Sequence, residues 1–225
     1  MALPSLPLTD TALLMPVDEP LYPINLRVRG TRCLVVGGGR VALGKVLGLL
    51  EAEADVTVVA PDIDDEIASL PGVQLERRPY ASTDLVGVRL VVSATGAPDV
   101  DGAVFRDGEE AGVWVNSADD PDHCTFTLPA RVRRGPLLVT FATGGNSPAL
   151  ASWLRQRYAE EFGPEYEVLI DLLAEARNDL IARGRSTEGL GWQRALDSGM
   201  LDLIREGELA EAKERLQACL SSSSD

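Results

Sequence analysis

An apolar run that stops at three consecutive glycines constrains this chain more than any other stretch: Cys33-Leu34-Val35-Val36-Gly37-Gly38-Gly39-Arg40-Val41-Ala42. The order is that of a strand, a tight turn and a helix N-terminus. Gly37 permits the turn, Gly39 lets a ligand approach the backbone, and Ala42 keeps the helix close to the sheet. N–H groups at the helix start, with the positive end of its dipole, favour an anion there. The G-x-G-x-x-A spacing in this setting predicts a site for a dinucleotide diphosphate at Gly37, Gly38 and Gly39.

The surroundings agree with that assignment. Ala42, Val46, Leu49 and Leu50 form a helical stripe that can lie on a sheet, and a second apolar run, Val56 to Ala60, ends at Pro61. From Tyr22 to about Asn116 the pattern alternates strand and helix. The predicted strands are Arg32–Val36, Val56–Ala60, Val73–Glu76, Leu90–Ala94 and Val113–Asn116, and one predicted helix runs from Pro98 to Glu110. Such alternation predicts an α/β domain with a parallel sheet and helices on both faces. Ligands of these sheets sit beyond the carboxyl ends of the strands, so Gly37, Pro61, Thr95 and Asn116 should line one crevice.

Composition narrows the partners. The chain has 225 residues and a net charge of −14, which argues against nucleic acid or a membrane surface as a general partner. No apolar stretch reaches membrane-spanning length. Cys33, Cys124 and Cys219 form no C-x-x-C pair, which speaks against a disulfide framework or structural zinc and for a reducing, cytoplasmic setting. Residues 1–21, rich in proline and without a positive n-region, read as a disordered extension, and Ser221 to Asp225 as a disordered tail.

Past Asn116 the period changes. Cys124–Val132 and Leu137–Ala142 read as extended segments joined by a turn at Arg133-Arg134-Gly135-Pro136. Ser147 is a natural N-cap and Pro148 a natural first helical residue. Beyond Gly163-Pro164 the pattern is helical, with stripes at Leu169, Leu172, Leu173, Ala176 and Leu180, at Met200, Leu203 and Ile204, and at Leu209, Ala212 and Leu216. The expected organisation is a nucleotide-binding domain over 22–128, a short β dimerisation segment over 129–162 and a small helical domain over 163–225. The helical part is short for a core of its own, and a second copy of the chain would relieve that.

Three groups of residues can carry chemistry. Asn116-Ser117-Ala118-Asp119-Asp120-Pro121-Asp122-His123-Cys124 holds three carboxylates and the chain's single histidine at the end of the fifth strand. Like charges crowded there favour a proton acceptor, and a solvated acidic turn is the plain alternative. A lone histidine does not complete a metal site, so no resident metal is expected. Arg131, Arg133 and Arg134 are the densest basic cluster and suit a carboxylate-rich substrate. The loop Thr143-Gly144-Gly145-Asn146-Ser147 offers N–H groups at a helix start, or simply caps it. For the nucleotide, Asp62 stands near the end of the second strand, and no arginine or lysine lies between Ala52 and Leu75. This favours NAD over its 2′-phosphorylated relative.

Together these segments resemble the precorrin-2 dehydrogenase family, whose members are stand-alone enzymes and the N-terminal half of siroheme synthase. The resemblance is carried by Tyr22-Pro23-Ile24-Asn25-Leu26, by Val36 to Ala42 with Lys45, by Val58-Val59-Ala60-Pro61, by Ser93-Ala94-Thr95 and by Asn116 to Pro121. It continues in Phe126-Thr127-Leu128-Pro129-Ala130 and Thr143 to Pro148, and covers about residues 22 to 180.

The resemblance implies a homodimer with a Rossmann-type domain and NAD-dependent oxidation of precorrin-2 to sirohydrochlorin. In some members it also implies insertion of Fe2+ as a substrate. It implies cofactor contacts at Arg40, Val41, Pro61 and Asp62, and places the family's important aspartate at Asp119, serving both activities. Some members carry a serine where this chain has Thr143. Multifunctional members add a methyltransferase, and methylation is here expected elsewhere. The substrate's carboxylates fit Asn116, His123, the three arginines and the 143–147 loop. The rival reading is an NAD-sensing regulatory module without catalysis, which needs neither the Asn116–Pro121 segment nor the Thr143–Pro148 loop.

Overall fold

The computed structural model describes residues 21–118 and 120–221. The expected catalytic Asp119, all of the 1–21 extension except Leu21, and all of the serine tail except Ser221 lie outside the described residues. The described chain falls into two compact units, residues 21–128 with 144–146 and residues 129–143 with 147–221.

The first unit contains β1 (Arg32–Val36), α1 (Arg40–Glu51), β2 (Asp55–Val59), α2 (Asp65–Ala68), β3 (Val73–Glu76), β4 (Leu90–Ser93), α3 (Pro98–Ala111) and β5 (Trp114–Ser117). The five strands form one parallel sheet in the order β3-β2-β1-β4-β5. The chain therefore builds outward from β1 through β3, then returns to the other side of β1 with β4. That reversal opens a crevice at the carboxyl ends of β1 and β4, the place where parallel sheets bind ligands.

Both faces of the sheet are buried, which is why the strands read as apolar runs and not as alternating patterns. Cys33, Val35, Val56, Val58 and Val92 pack with Ala42 and Val46 of α1 on one face. Leu34, Val36, Val91 and Val115 pack with Val104 of α3 on the other. Burial, with the Asp55 carboxylate nearby, pushes the Cys33 thiol up to about 11, so it behaves as a small apolar group.

The second unit contains the antiparallel pair β6 (Ala130–Arg134) and β7 (Leu137–Phe141), then α4 (Pro148–Glu161), α5 (Glu165–Ala182), α6 (Trp192–Leu196), α7 (Met200–Glu206) and α8 (Leu209–Ser221). Leu169, Leu180, Ala195, Met200, Ile204, Ala212, Leu216 and Leu220 make its core. An aromatic run, Phe141–Tyr158–Phe162–Tyr166, joins β7, α4 and the start of α5, with successive ring centroids 5.4, 5.9 and 5.1 Å apart. The β pair and the helices, divided at residue 162 in the sequence reading, thus share one compact unit.

One difference from the sequence reading has a physical cause. The extended segment expected to begin at Cys124 becomes a strand only at Ala130. Before that, Thr125 attaches to the edge of β5. Its N–H donates to the Val115 carbonyl at 2.8 Å, and its Oγ1 accepts the Val115 N–H at 2.7 Å. A side chain thereby stands in for the next rung of a ladder. Residues 184–191 link α5 to the short helix α6, whose Ala195 is fully buried. No described helix is long and apolar enough to cross a membrane.

Candidate nucleotide crevice and its polar loops

The glycine bend between β1 and α1 is shaped by what surrounds it. Gly37 has φ +121°, and a Cβ there would lie 2.3 Å from the Ala94 carbonyl oxygen. A Cβ on Gly38 would lie 2.0 Å from the carbonyl oxygen of Asp62. Gly39 differs: a Cβ there would meet no heavy atom within 4 Å. Two glycines are therefore required by the protein's own backbone, and the third faces open space at the helix start. Gly39 is the N-cap of α1 and contributes no side-chain cap, so the N–H groups of the first turn lack an intrahelical acceptor. This is a suitable cradle for a diphosphate. Arg40 and Val41 are exposed beside it, and Ala42 is fully buried against the sheet.

The loop after β2 crosses this bend. Pro61 and Asp62 are exposed, and Ile63 is 3% exposed and anchors the loop in the core. The Asp64 N–H donates to the Gly38 carbonyl at 2.9 Å. Arg77, just after β3, donates through Nη1 to the Ile63 carbonyl at 3.1 Å. Arg77 lies just beyond the stretch from Ala52 to Leu75 that holds no arginine or lysine. The parallel pairing of Val59 with Glu76 brings the following residue back to this loop.

Thr95 stands at the end of β4, directly beside the bend. Its Oγ1 donates to Asp101 Oδ1 at 2.7 Å and accepts the Ala97 N–H at 3.0 Å. Ser93, fully buried, donates to the same Asp101 oxygen. Asp101 was not singled out in the sequence. Its only signal is its place in the first turn of a helix that begins with proline.

The loop after β5 is held by Cys124. The sulfur accepts the Ser117 N–H at 3.2 Å and donates to the carbonyls of Ser117 and Asp120, each at 3.3 Å. Burial pushes the Cys124 thiol up, against the opposing Ser117 N–H, so the group remains a neutral thiol and not a nucleophile. Asn116, 6% exposed, donates through Nδ2 to the Phe126 carbonyl at 3.0 Å. Its amide therefore also secures the loop. The His123 Nδ1 lies 2.7 Å from Asp120 Oδ2, and its ring packs 5.1 Å from that of Phe105 on α3. The carboxylate and the imidazole thus form a dyad on the loop that also carries residue 119. No group of three or more metal-ligating side chains occurs among the described residues.

The remaining expected site residues are divided between the units. Gly144 and Gly145 group with the sheet unit, whereas Arg131, Arg133, Arg134, Thr143 and Ser147 belong to the helical one. Arg131 and Arg133 are exposed at alternate positions of β6, hence on one face. The Arg134 guanidinium is committed to the carbonyls of Ala159, at 2.7 Å, and Arg133, at 2.8 Å. Ser147 caps α4 by accepting the Leu150 N–H at 3.2 Å, and its own N–H donates to Thr143 Oγ1 at 3.2 Å. These contacts are those of the capping reading of this loop.

Comparison with known proteins adds a family to this geometry. Residues 24–130 match the model of an NAD(P)-binding family. The siroheme synthase of Chromobacterium violaceum is 36% identical over 201 residues, covering 87% of this chain and 43% of that protein. The siroheme synthase of Nitrosococcus oceani is 34% identical over 203 residues, covering 88% of this chain and 43% of that protein. The chain thus spans less than half the length of these relatives. Among solved structures, the precorrin-2 dehydrogenase SirC superposes with a TM-score of 0.69 at 27% identity, covering 88% of this chain and 98% of that one.

Proposed function

The chain belongs to the family that joins stand-alone precorrin-2 dehydrogenases to the N-terminal part of siroheme synthases, and we propose that it oxidises precorrin-2 to sirohydrochlorin with NAD. The observation that carries this reading is the glycine bend at the reversal point of the sheet. Its open side is Gly39, the N-cap of α1, which offers no side-chain cap to the N–H groups of the first turn. NAD, when bound, supplies the hydride acceptor. The protein's part is to hold that cofactor and the macrocycle together and to manage the proton.

The roles follow from chemistry. Backbone N–H groups at Gly39, Arg40 and Val41 receive the diphosphate, and the exposed Asp62 receives the ribose hydroxyls. Oxidation of the reduced macrocycle sends a hydride to the cofactor and a proton to a base. We assign the base to Asp119, whose neighbours Asp120 and His123 form the dyad described above. The same carboxylate would take pyrrole protons if Fe2+ is inserted as a substrate. Arg131 and Arg133, exposed on one face of β6, are the proposed partners of the substrate's carboxylates, and the Arg134 guanidinium holds the carbonyls of Ala159 and Arg133. A homodimer is the proposed assembly.

The test is spectroscopic. Protein, NAD and precorrin-2 mixed anaerobically should produce NADH and the sirohydrochlorin spectrum together. Binding of NAD with an unchanged tetrapyrrole spectrum would point instead to the sensing module. Repeating the reaction on sirohydrochlorin with Fe2+, with and without protein, tests metal insertion.

A further inference from the structure

We infer that Asp101 is a positioning residue for the cofactor: its oxygen Oδ1 gathers the hydroxyls of Ser93 and Thr95 and so fixes the loop over 94–97 against the glycine bend. This rests on the proposed binding of NAD in that crevice. Ser93 is the last residue of β4, in register with Val36 of β1 and Ser117 of β5, and its side chain is wholly buried. A hydroxyl so placed requires a partner, and Asp101 supplies it from the neighbouring helix. Thr95, two residues on, donates to the same oxygen while accepting the Ala97 N–H, so its hydroxyl is used in both directions.

The helix end favours this arrangement. Ala97, the N-cap of α3, provides no side-chain cap, and Asp101 carries its charge in the first turn, where the helix dipole favours it. One carboxylate therefore ties a strand end, a loop and a helix start together.

That loop is a wall of the crevice. The Ala94 carbonyl oxygen and the Thr95 nitrogen lie 2.3 and 3.2 Å from where a Cβ on Gly37 would stand. Ser93 and Thr95, both held by Asp101, flank Ala94. If the loop drifts, the bend loses its backing and the diphosphate site loses its shape. Both hydroxyls converge on one oxygen, so the position needs an acceptor and not a charge. An asparagine can supply that acceptor.

Isothermal titration of the full chain with NAD, joined to steady-state kinetics on precorrin-2, tests this. Asp101→Ala should raise the NAD Kd and KM roughly tenfold with kcat within about twofold. Asp101→Asn should restore both to within about twofold of the starting protein, and Thr95→Val should fall between. Unchanged NAD affinity in Asp101→Ala, with only a lowered Tm, would make the residue structural and overturn the inference. Equal losses in the Ala and Asn variants would overturn it too, because charge would then be the cause. If Asp101→Ala does not fold, Thr95→Val decides, and an unaltered Kd there refutes the inference. A starting protein that binds NAD but leaves precorrin-2 unchanged would sink the proposed activity and leave this assignment standing. A starting protein that binds no NAD would sink both.

Discussion

Gly38 and Asp62, 24 residues apart in the chain, are in backbone contact: a Cβ on Gly38 would sit 2.0 Å from the Asp62 carbonyl oxygen and 2.8 Å from the Ile63 Cα. The loop after β2 therefore rests on the middle glycine of the bend. The diphosphate cradle and the ribose loop are built as one object, clamped further by the Asp64 N–H on the Gly38 carbonyl.

Gly38→Ala should consequently damage the fold as well as the site. The new methyl can be housed only by moving backbone, at a cost of about 1–3 kcal/mol. A lowered Tm together with weaker NAD binding is expected, read by thermal melts and titration. A Tm equal to that of the unaltered protein would refute the contact.

Gly39→Asp should separate the two effects. The side chain enters open space, so the fold should hold, but bulk and negative charge then meet the diphosphate. NAD affinity should fall at least roughly tenfold, with Tm little changed. Unchanged affinity would refute the cradle.

Asp119→Ala should abolish conversion of precorrin-2 while NAD still binds, because only the proton acceptor is removed. Spectra of the tetrapyrrole and titration with NAD check the two halves separately. Full turnover in that variant removes the residue from the mechanism.

Arg131→Glu with Arg133→Glu should raise the KM for precorrin-2, roughly tenfold or more, and leave NAD affinity unaltered. Arg134→Glu should instead lower Tm, since its guanidinium holds the Ala159 carbonyl in α4. Kinetics and melts on the two variants distinguish substrate binding from packing.

Acid should expose one ion pair. The Arg78 guanidinium grips both oxygens of Asp84, at 2.7 and 2.9 Å, and holds that carboxyl below its ordinary value, with the Ala81 N–H assisting against desolvation. A lowered folded-state value means that the stabilisation is complete above the unfolded value of about 4 and is lost as pH falls through the folded one. The Tm advantage over Asp84→Asn should be constant above about pH 5 and close progressively below about pH 4. A gap independent of pH would show that the charge contributes nothing.

Much of the crevice was legible because its signals are local. Strands buried on both faces announce themselves as apolar runs, and three glycines before a helical stripe announce a bend. The ends of the five parallel strands were placed to within one residue: Val113–Asn116 was expected where Trp114–Ser117 pairs with β4. Ser147 was readable as a cap because a cap is decided within four residues.

Other features were hidden because they depend on partners distant in sequence. Asp101 looks like any acid in a first helical turn until β4 lies beside α3. Arg77 gains its role only when β3 pairs with β2, and Arg134 loses its freedom only when α4 returns over β6. Cys124 reads as one cysteine among three until its sulfur is found tying down the β5 loop. Residue order and periodicity were enough to specify the parallel sheet, the bend and the anion-favouring helix start, since each arises from steric and hydrogen-bonding preferences within one turn or strand. Which polar side chains remain available for a ligand, and which are consumed in holding loops, was settled by packing, because burial obliges every hydroxyl, amide and guanidinium to find a partner wherever the folded chain brings one near.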